Sequence, residues 1–194
     1  MKGEEERKQK SYGNGRVFLM YLMIAQTVGI VGMILVFLSF QINSKKNILF
    51  FQILSSLVFG VHFFMLNAFT GVAMNAVSIF RNSIFYQSEK HAWARHKAWI
   101  AVFILLYTGM GLLTWDNWFS ILLMISMVTT TFAFWETNPT RIRLLYFPGS
   151  PCWLVYNITN GSVAGIITES FSIISLIIAF IRFDILHQEE KAKI

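Results

Sequence analysis

Seven apolar stretches, at about 17–40, 47–66, 69–88, 98–113, 118–135, 142–159 and 162–183, follow one another along this chain with no more than two charged residues in any of them. Hydrocarbon offers the backbone no hydrogen-bonding partner, so long runs of this kind must either close on themselves as helices or be buried in protein. The surrounding composition selects the membrane. Of 194 residues 55% are apolar and 13% charged, against about a quarter charged in soluble domains, and the mean hydropathy is +0.55. Several stretches are near or below the ~20 residues of a straight span. The third carries Arg81, and the sixth carries Pro148 and Pro151. Five or six spans would leave apolar segments such as 71–80 without a place, so the prediction is an all-α membrane protein with seven transmembrane helices.

Residues 1–16 are polar and read as a mobile N-terminal tail. The first apolar run is longer than a signal-peptide core of ~7–15 residues and shows no small-x-small cleavage site, so it reads as a retained span. The net charge of +6 collects in tails and loops, an orientation signal rather than a nucleic-acid footprint. Lys45, Lys46, Arg81, Lys90, Arg95, Lys97, Arg141, Arg143, Arg182, Lys191 and Lys193 fall on one side, while the loops near Ala68, Asp116 and Asn160 have no Lys or Arg. The positive-inside rule makes the basic side, including the C-terminal tail 184–194, cytoplasmic and places the N-terminus outside. The basic residues of the N-terminal tail argue the other way, and three neutral loops outweigh them.

Polar residues recur inside this apolar frame with a helical period. Gly71, Asn75, Ser78 and Asn82 stand at i, i+4, i+7 and i+11, and Gly165, Glu169 and Ser172 repeat the first three positions ninety-four residues later. Each set lies on one face of a helix. Lipid penalises such groups, so both faces are expected to turn toward protein or a water-filled cavity. The same offset superposes the first three spans on the last three, with identities such as Met33/Met127, Phe40/Phe134, Ser56/Ser150 and Ser78/Ser172. The prediction is a 3+1+3 arrangement: a three-helix repeat at 17–88, a linker helix at 98–113 and a second parallel repeat at 118–183. Parallel repeats are a known transporter plan, with the solute site at their interface.

Single residues sharpen that site. Glu169 is an acid deep in the last span, read either as a proton-coupling or solute-binding group or as half of an ion pair. Arg81, close to a boundary, is expected to snorkel toward headgroups, with a reach to Glu169 as the alternative. His62 has no second ligand spaced for a metal and reads as a cross-helix hydrogen-bonding group more than a proton relay. Trp153 and Asn157, one turn apart with Tyr156 beside them, would suit stacking plus hydrogen bonding, although a Trp is also a routine interfacial anchor. Pro148 and Pro151 can break this span and free carbonyls toward a cavity. The solute-pathway candidates are thus Asn75, Glu169, Trp153, Asn157, Ser78 and Ser172, supported by Arg81, His62 and Tyr156. Cys152 stands alone, so neither a disulfide nor a cysteine metal cluster is expected. No phosphate-binding glycine loop, nucleophile elbow or HExxH occurs, and no catalytic residue, metal or cofactor is expected.

The block from Val61 to Asn82 (Val-His-Phe-Phe-Met-Leu-Asn-Ala-Phe-Thr-Gly-Val-Ala-Met-Asn-Ala-Val-Ser-Ile-Phe-Arg-Asn) resembles the YgjV-type family of bacterial inner membrane proteins. The resemblance returns at Cys152-Trp153-Leu154-Val155-Tyr156-Asn157 and continues through Gly161-Ser162, Gly165, Glu169 and Arg182-Phe183, covering about 17–185. It implies the bacterial inner membrane. A looser similarity links Leu38-Ser39-Phe40-Gln41-Ile42-Asn43-Ser44-Lys45 to the Pro-Gln segment of the PQ-loop superfamily, which includes SWEET and PnuC-type transporters. Phe40 stands in the place of the proline, and in the second half Trp135 stands in the place of the glutamine. In SWEET-like members paired polar residues on spans 3 and 7 line the pocket, and Asn75 and Glu169 match those positions. An acid in place of an amide implies a different solute or an added proton or cation role. The expected partners are the lipid bilayer and a small polar solute, with no nucleic acid and homo-oligomerisation left open. The functional expectation is alternating-access transport, against a receptor or scaffold, or an intramembrane enzyme built on Glu169 and His62.

Overall fold

Apolar runs with no polar relief are satisfied as helices, and a computed structural model describes residues 2–115 and 117–181 as eight of them joined by short turns. They are α1 (Lys2–Phe40), α2 (Lys45–Met65), α3 (Phe69–Gln87), α4 (Ala98–Leu113), α5 (Ser120–Trp135), α6 (Pro139–Tyr146), α7 (Gly149–Thr159) and α8 (Val163–Phe180), with a 3₁₀ turn at Ala92–Arg95. Among the described residues there is no strand. Asp116, Arg182 and the predicted C-terminal tail 184–194 lie outside the described residues.

Two departures from the predicted spans have local causes. The polar stretch read as a tail is helical from Lys2 and continuous with the apolar run, as its Glu, Lys, Arg and Gln content favours. The sixth predicted span is two helices. Pro148 has no N–H to continue α6, and Pro151 falls in the first turn of α7, where a missing N–H costs nothing. By length and composition two helical segments, Gly15–Phe40 and Lys45–Met65, can cross a bilayer. Apolar stretches in α4, α5 and α8 are shorter, and α3 is interrupted by Arg81.

Helix ends repeat as closely as the polar stripes. Lys45 and Pro139 open α2 and α6, Met65 and Thr159 close α2 and α7, and Phe69 and Val163 open α3 and α8; each pair stands ninety-four residues apart. The intervening turns share their geometry. Asn67 and Gly161, at the same offset, have φ of 56° and 63°, and they are the two residues with positive φ among those described. Ala68 N donates to Phe63 O and Ser162 N to Asn157 O, both at 3.0 Å. Asn67 N likewise donates to Phe64 O, and Gly161 N to Ile158 O. These are two Schellman turns, which use a left-handed residue after the helix end to satisfy its last carbonyls. Asparagine and glycine are the residues that enter that region at least cost.

Packing follows the same order. α2 lies against α1 and α3, and α7 against α5 and α8. α1 meets α8, α3 meets α5, and α4 covers α3 and α5. The interior is unlike a soluble core, because polar side chains are buried in it as often as apolar ones. Large apolar side chains such as Leu113 and Trp118, 82% and 80% exposed, cover the outside. That inversion is what a hydrocarbon solvent selects.

Candidate solute-binding cavity

Between α2, α3, α5, α7 and α8 the polar stripes line a small, partly open cavity of about 60 Å³, room for several waters or a compact polar solute. Asn75, Ser78 and Arg81 line it from α3, Trp153 and Asn157 from α7, and Gly165 and Glu169 from α8. The structure therefore gathers five of the six predicted pathway residues. Ser172 is the exception. It is buried but off the lining, because the cavity descends along α3 to Arg81 instead of along α8.

Sequence reasoning missed much of the α2 wall, including Gln52, Ser55, Ser56, Phe59 and Phe63, and also Thr130 and Tyr146. The signal that could have found several of them is the repeat itself. Ten of the seventeen lining residues form five pairs ninety-four positions apart: Val36 with Thr130, Gln52 with Tyr146, Phe59 with Trp153, Phe63 with Asn157, and Asn75 with Glu169. The Phe63 and Trp153 rings stack at 5.6 Å and 27°, forming one aromatic wall.

Arg81 does not snorkel. It is 2% exposed, and its side chain crosses to α5, where Nη1 donates to Thr130 Oγ1 at 3.0 Å, Thr131 Oγ1 at 3.2 Å and Met127 O at 3.5 Å. Nε donates to Asn82 Oδ1 at 3.1 Å. The guanidinium also lies 5.0 Å from the Phe134 centroid and 5.3 Å from that of Tyr107, inside cation–π range. Neutral acceptors and π faces thus hold the charge in, where a longer route to headgroups would forfeit four hydrogen bonds. Nor does Arg81 pair with Glu169, since the salt bridge among the described residues is Arg141–Glu136 at 3.8 Å. Glu169 is 8% exposed, and its Oε2 has no hydrogen-bond partner. Ser150 stands beside the carboxyl but closes no hydrogen bond of ordinary geometry.

The supporting residues act as fasteners. His62 Nδ1 lies 2.8 Å from Ala25 O and Nε2 lies 2.8 Å from Ser162 Oγ. A carbonyl only accepts, so Nδ1 carries the proton and Nε2 accepts from Ser162. Ser162 Oγ in turn accepts from Gly165 N at 3.0 Å, capping α8. Tyr156 OH accepts from Gly71 N at 3.1 Å. Both residues lie off the cavity lining. At the opposite end Lys45, counted from sequence as a loop charge, is 4% exposed. It donates to Trp135 O at 3.1 Å and Ser88 Oγ at 3.3 Å.

Gly165 lines the cavity in the first turn of α8. A Cβ there would lie 2.2 Å from Asn157 Oδ1 and 2.6 Å from Ser162 Oγ. Gly165→Ala is therefore expected to displace the Asn157 amide and the α8 cap, lowering stability by about 1–3 kcal/mol. Gly109→Ala, where a Cβ meets nothing within 4 Å, should leave the thermal midpoint unchanged or raise it. Thermal denaturation of the two purified variants checks the contrast.

Comparison with known proteins bears on the family. The model of a family described as bacterial inner membrane protein, Imp-YgjV, matches residues 23–186, a range that contains every cavity residue. The inner membrane protein YgjV of Escherichia coli (strain K12) is 24% identical over 160 residues, which make up 82% of this chain and 84% of that protein. No solved structure matches the chain.

Proposed function

We propose that this chain, which belongs to the YgjV family of bacterial inner membrane proteins and so resides in that membrane, carries a small polar solute across it by alternating access. The observation that carries the reading is the cavity whose lining residues pair at the repeat offset. A rocking carrier needs its site on the axis between two equivalent halves, and paired lining is the expected signature of such an axis. On this reading α1–α3 and α5–α8 are the halves, and α4 is the connector of a seven-span, 3+1+3 protein. The contacts support it: exchanging the halves turns the α1–α8 contact into the α5–α3 contact, and both exist. The looser likeness to the PQ-loop superfamily points the same way.

The fasteners give the motion its two ends. His62 with Ser162, and Gln26 Oε1 accepting from Ala164 N at 2.9 Å, join the halves near the two matching turns. Lys45 with Trp135 O joins them at the other end. Opening one set while the other holds would expose the cavity to one side at a time. With the basic loops cytoplasmic, the N-terminus is outside, and the turns at Asn67 and Gly161 face outward.

Flux in proteoliposomes tests the proposal. Purified protein is expected to exchange internal for external labelled solute in a screen of amino acids, amines, sugars and nucleosides, and Glu169→Gln is expected to lose that exchange while remaining folded. Ligand binding without flux would make the protein a receptor. Neither binding nor flux in well-folded protein would remove the solute from the account.

A further inference from the structure

We infer that the solute is a small zwitterion of the amino-acid type, its ammonium held at Glu169 and Asn157 and its carboxylate at Arg81. The inference rests on the carrier reading for its setting but on the cavity walls for its chemistry. At one corner of the cavity acceptors outnumber donors, with the Ser150 hydroxyl beside the Glu169 carboxyl. Glu169 Oε2 and Asn157 Oδ1 are both buried acceptors without a partner, in residues 8% and 1% exposed. An unsatisfied buried acceptor is costly, and a charged one more so. Two of them on adjacent helices facing one space ask for a group with several N–H donors. Gly165 lets the Asn157 amide pack against α8, since a Cβ there would lie 2.2 Å from Asn157 Oδ1.

The α3 wall has the opposite need. The four hydrogen bonds of Arg81 to described residues leave from Nε and Nη1, so Nη2 is the nitrogen left for the cavity that Arg81 lines. A guanidinium face is the usual recognition element for carboxylate. The acid and the guanidinium line one cavity without touching. A cationic or anionic solute would leave the cavity with a net charge, which low dielectric penalises. A zwitterion adds no net charge and gives each wall its complement. The stacked Phe63 and Trp153 rings beside it supply an apolar surface for a side chain.

The test is a binding panel on the purified full-length chain. Alanine, leucine and phenylalanine are each compared with the amine lacking the carboxylate and the acid lacking the amine, with glucose and ribose as uncharged polyols. Titration by calorimetry is expected to show binding of at least one amino acid, with its amine and acid counterparts at least tenfold weaker. Glu169→Gln should weaken the amino acid at least tenfold and bring the acid counterpart close to it. If Glu169→Gln does not fold, the wild-type panel alone decides. Amines binding as tightly as the parent amino acids, polyols binding in their place, or no binding in the panel would each overturn the assignment. Flux of a polyol or amine without amino-acid binding would keep the carrier and reject the zwitterion. Amino-acid binding without flux would do the reverse.

Discussion

Arg81→Met is expected to leave the protein folded and to abolish solute flux, separating what this arginine does for the bundle from what it does for the cavity. The guanidinium is buried with no carboxylate of the described residues within salt-bridge distance, an arrangement whose desolvation is expensive. Methionine is flexible enough to fill the space between Phe134 and Tyr107. The threonines that now accept from Arg81 keep hydrogen bonds of their own, since Thr130 Oγ1 donates to Ser126 O and Thr131 Oγ1 to Met127 O. Asn82 is the loser: its Nδ2 already lacks a partner, and its Oδ1 would lose one. That costs about 1–3 kcal/mol, largely offset by removing the buried charge. Arg81→Ala relieves the charge but leaves a void, and is expected to destabilise by about 2–5 kcal/mol. Thermal midpoints and gel-filtration profiles of the two variants read stability, and proteoliposome exchange reads function. Wild-type flux from Arg81→Met would take the residue out of the solute path.

The fate of Arg81 also marks where sequence reasoning stops. Helical spacing placed Asn75, Ser78 and Glu169 on inward faces because periodicity fixes direction, and the cavity is built on those faces. The break near Pro148 was legible for a similar reason, as a proline acts on the backbone around it. A long side chain is different. Arg81 can reach several ångströms up, down or across, and only the threonines of α5 decide which. Gln52, Ser55 and Ser56 escaped notice because they are small or uncharged polar residues among phenylalanines, a pattern also compatible with helix packing. Phe59 was within reach, since the offset relating Asn75 to Glu169 also relates Phe59 to Trp153. Lys45 reads as a solvated loop charge in sequence and is buried, because Trp135 O and Ser88 happen to meet it there. Tertiary partners contributed by distant segments are what the pattern of one segment cannot contain.

Exchanging the acid and the amide across the repeat should restore part of what either change alone destroys. Position 75 and position 169 each stand four residues after a glycine in the first turn of their helix, and both are 8% exposed. Glu169→Asn removes the one carboxyl group that lines the cavity. A hydrogen bond to a charged group is worth about 1.5–3 kcal/mol, so flux should fall by roughly ten- to a hundredfold. Asn75→Glu places two acids in one enclosure, where like charges oppose each other, and it forfeits the bond from Asn75 Nδ2 to Gly71 O at 2.9 Å. It should lose as much. The double variant again has one acid, one amide and one arginine, now reflected through the axis. Its flux is expected to exceed that of either single variant by about tenfold, a non-additivity that neighbouring or equivalent sites produce and independent ones do not. Full recovery is not expected, because the amide of Asn157 lies beside position 169 while its counterpart beside position 75 is Phe63. Multiplicative losses in the double variant would show that the two helices are alike in backbone only and that the solute contacts one half of the protein.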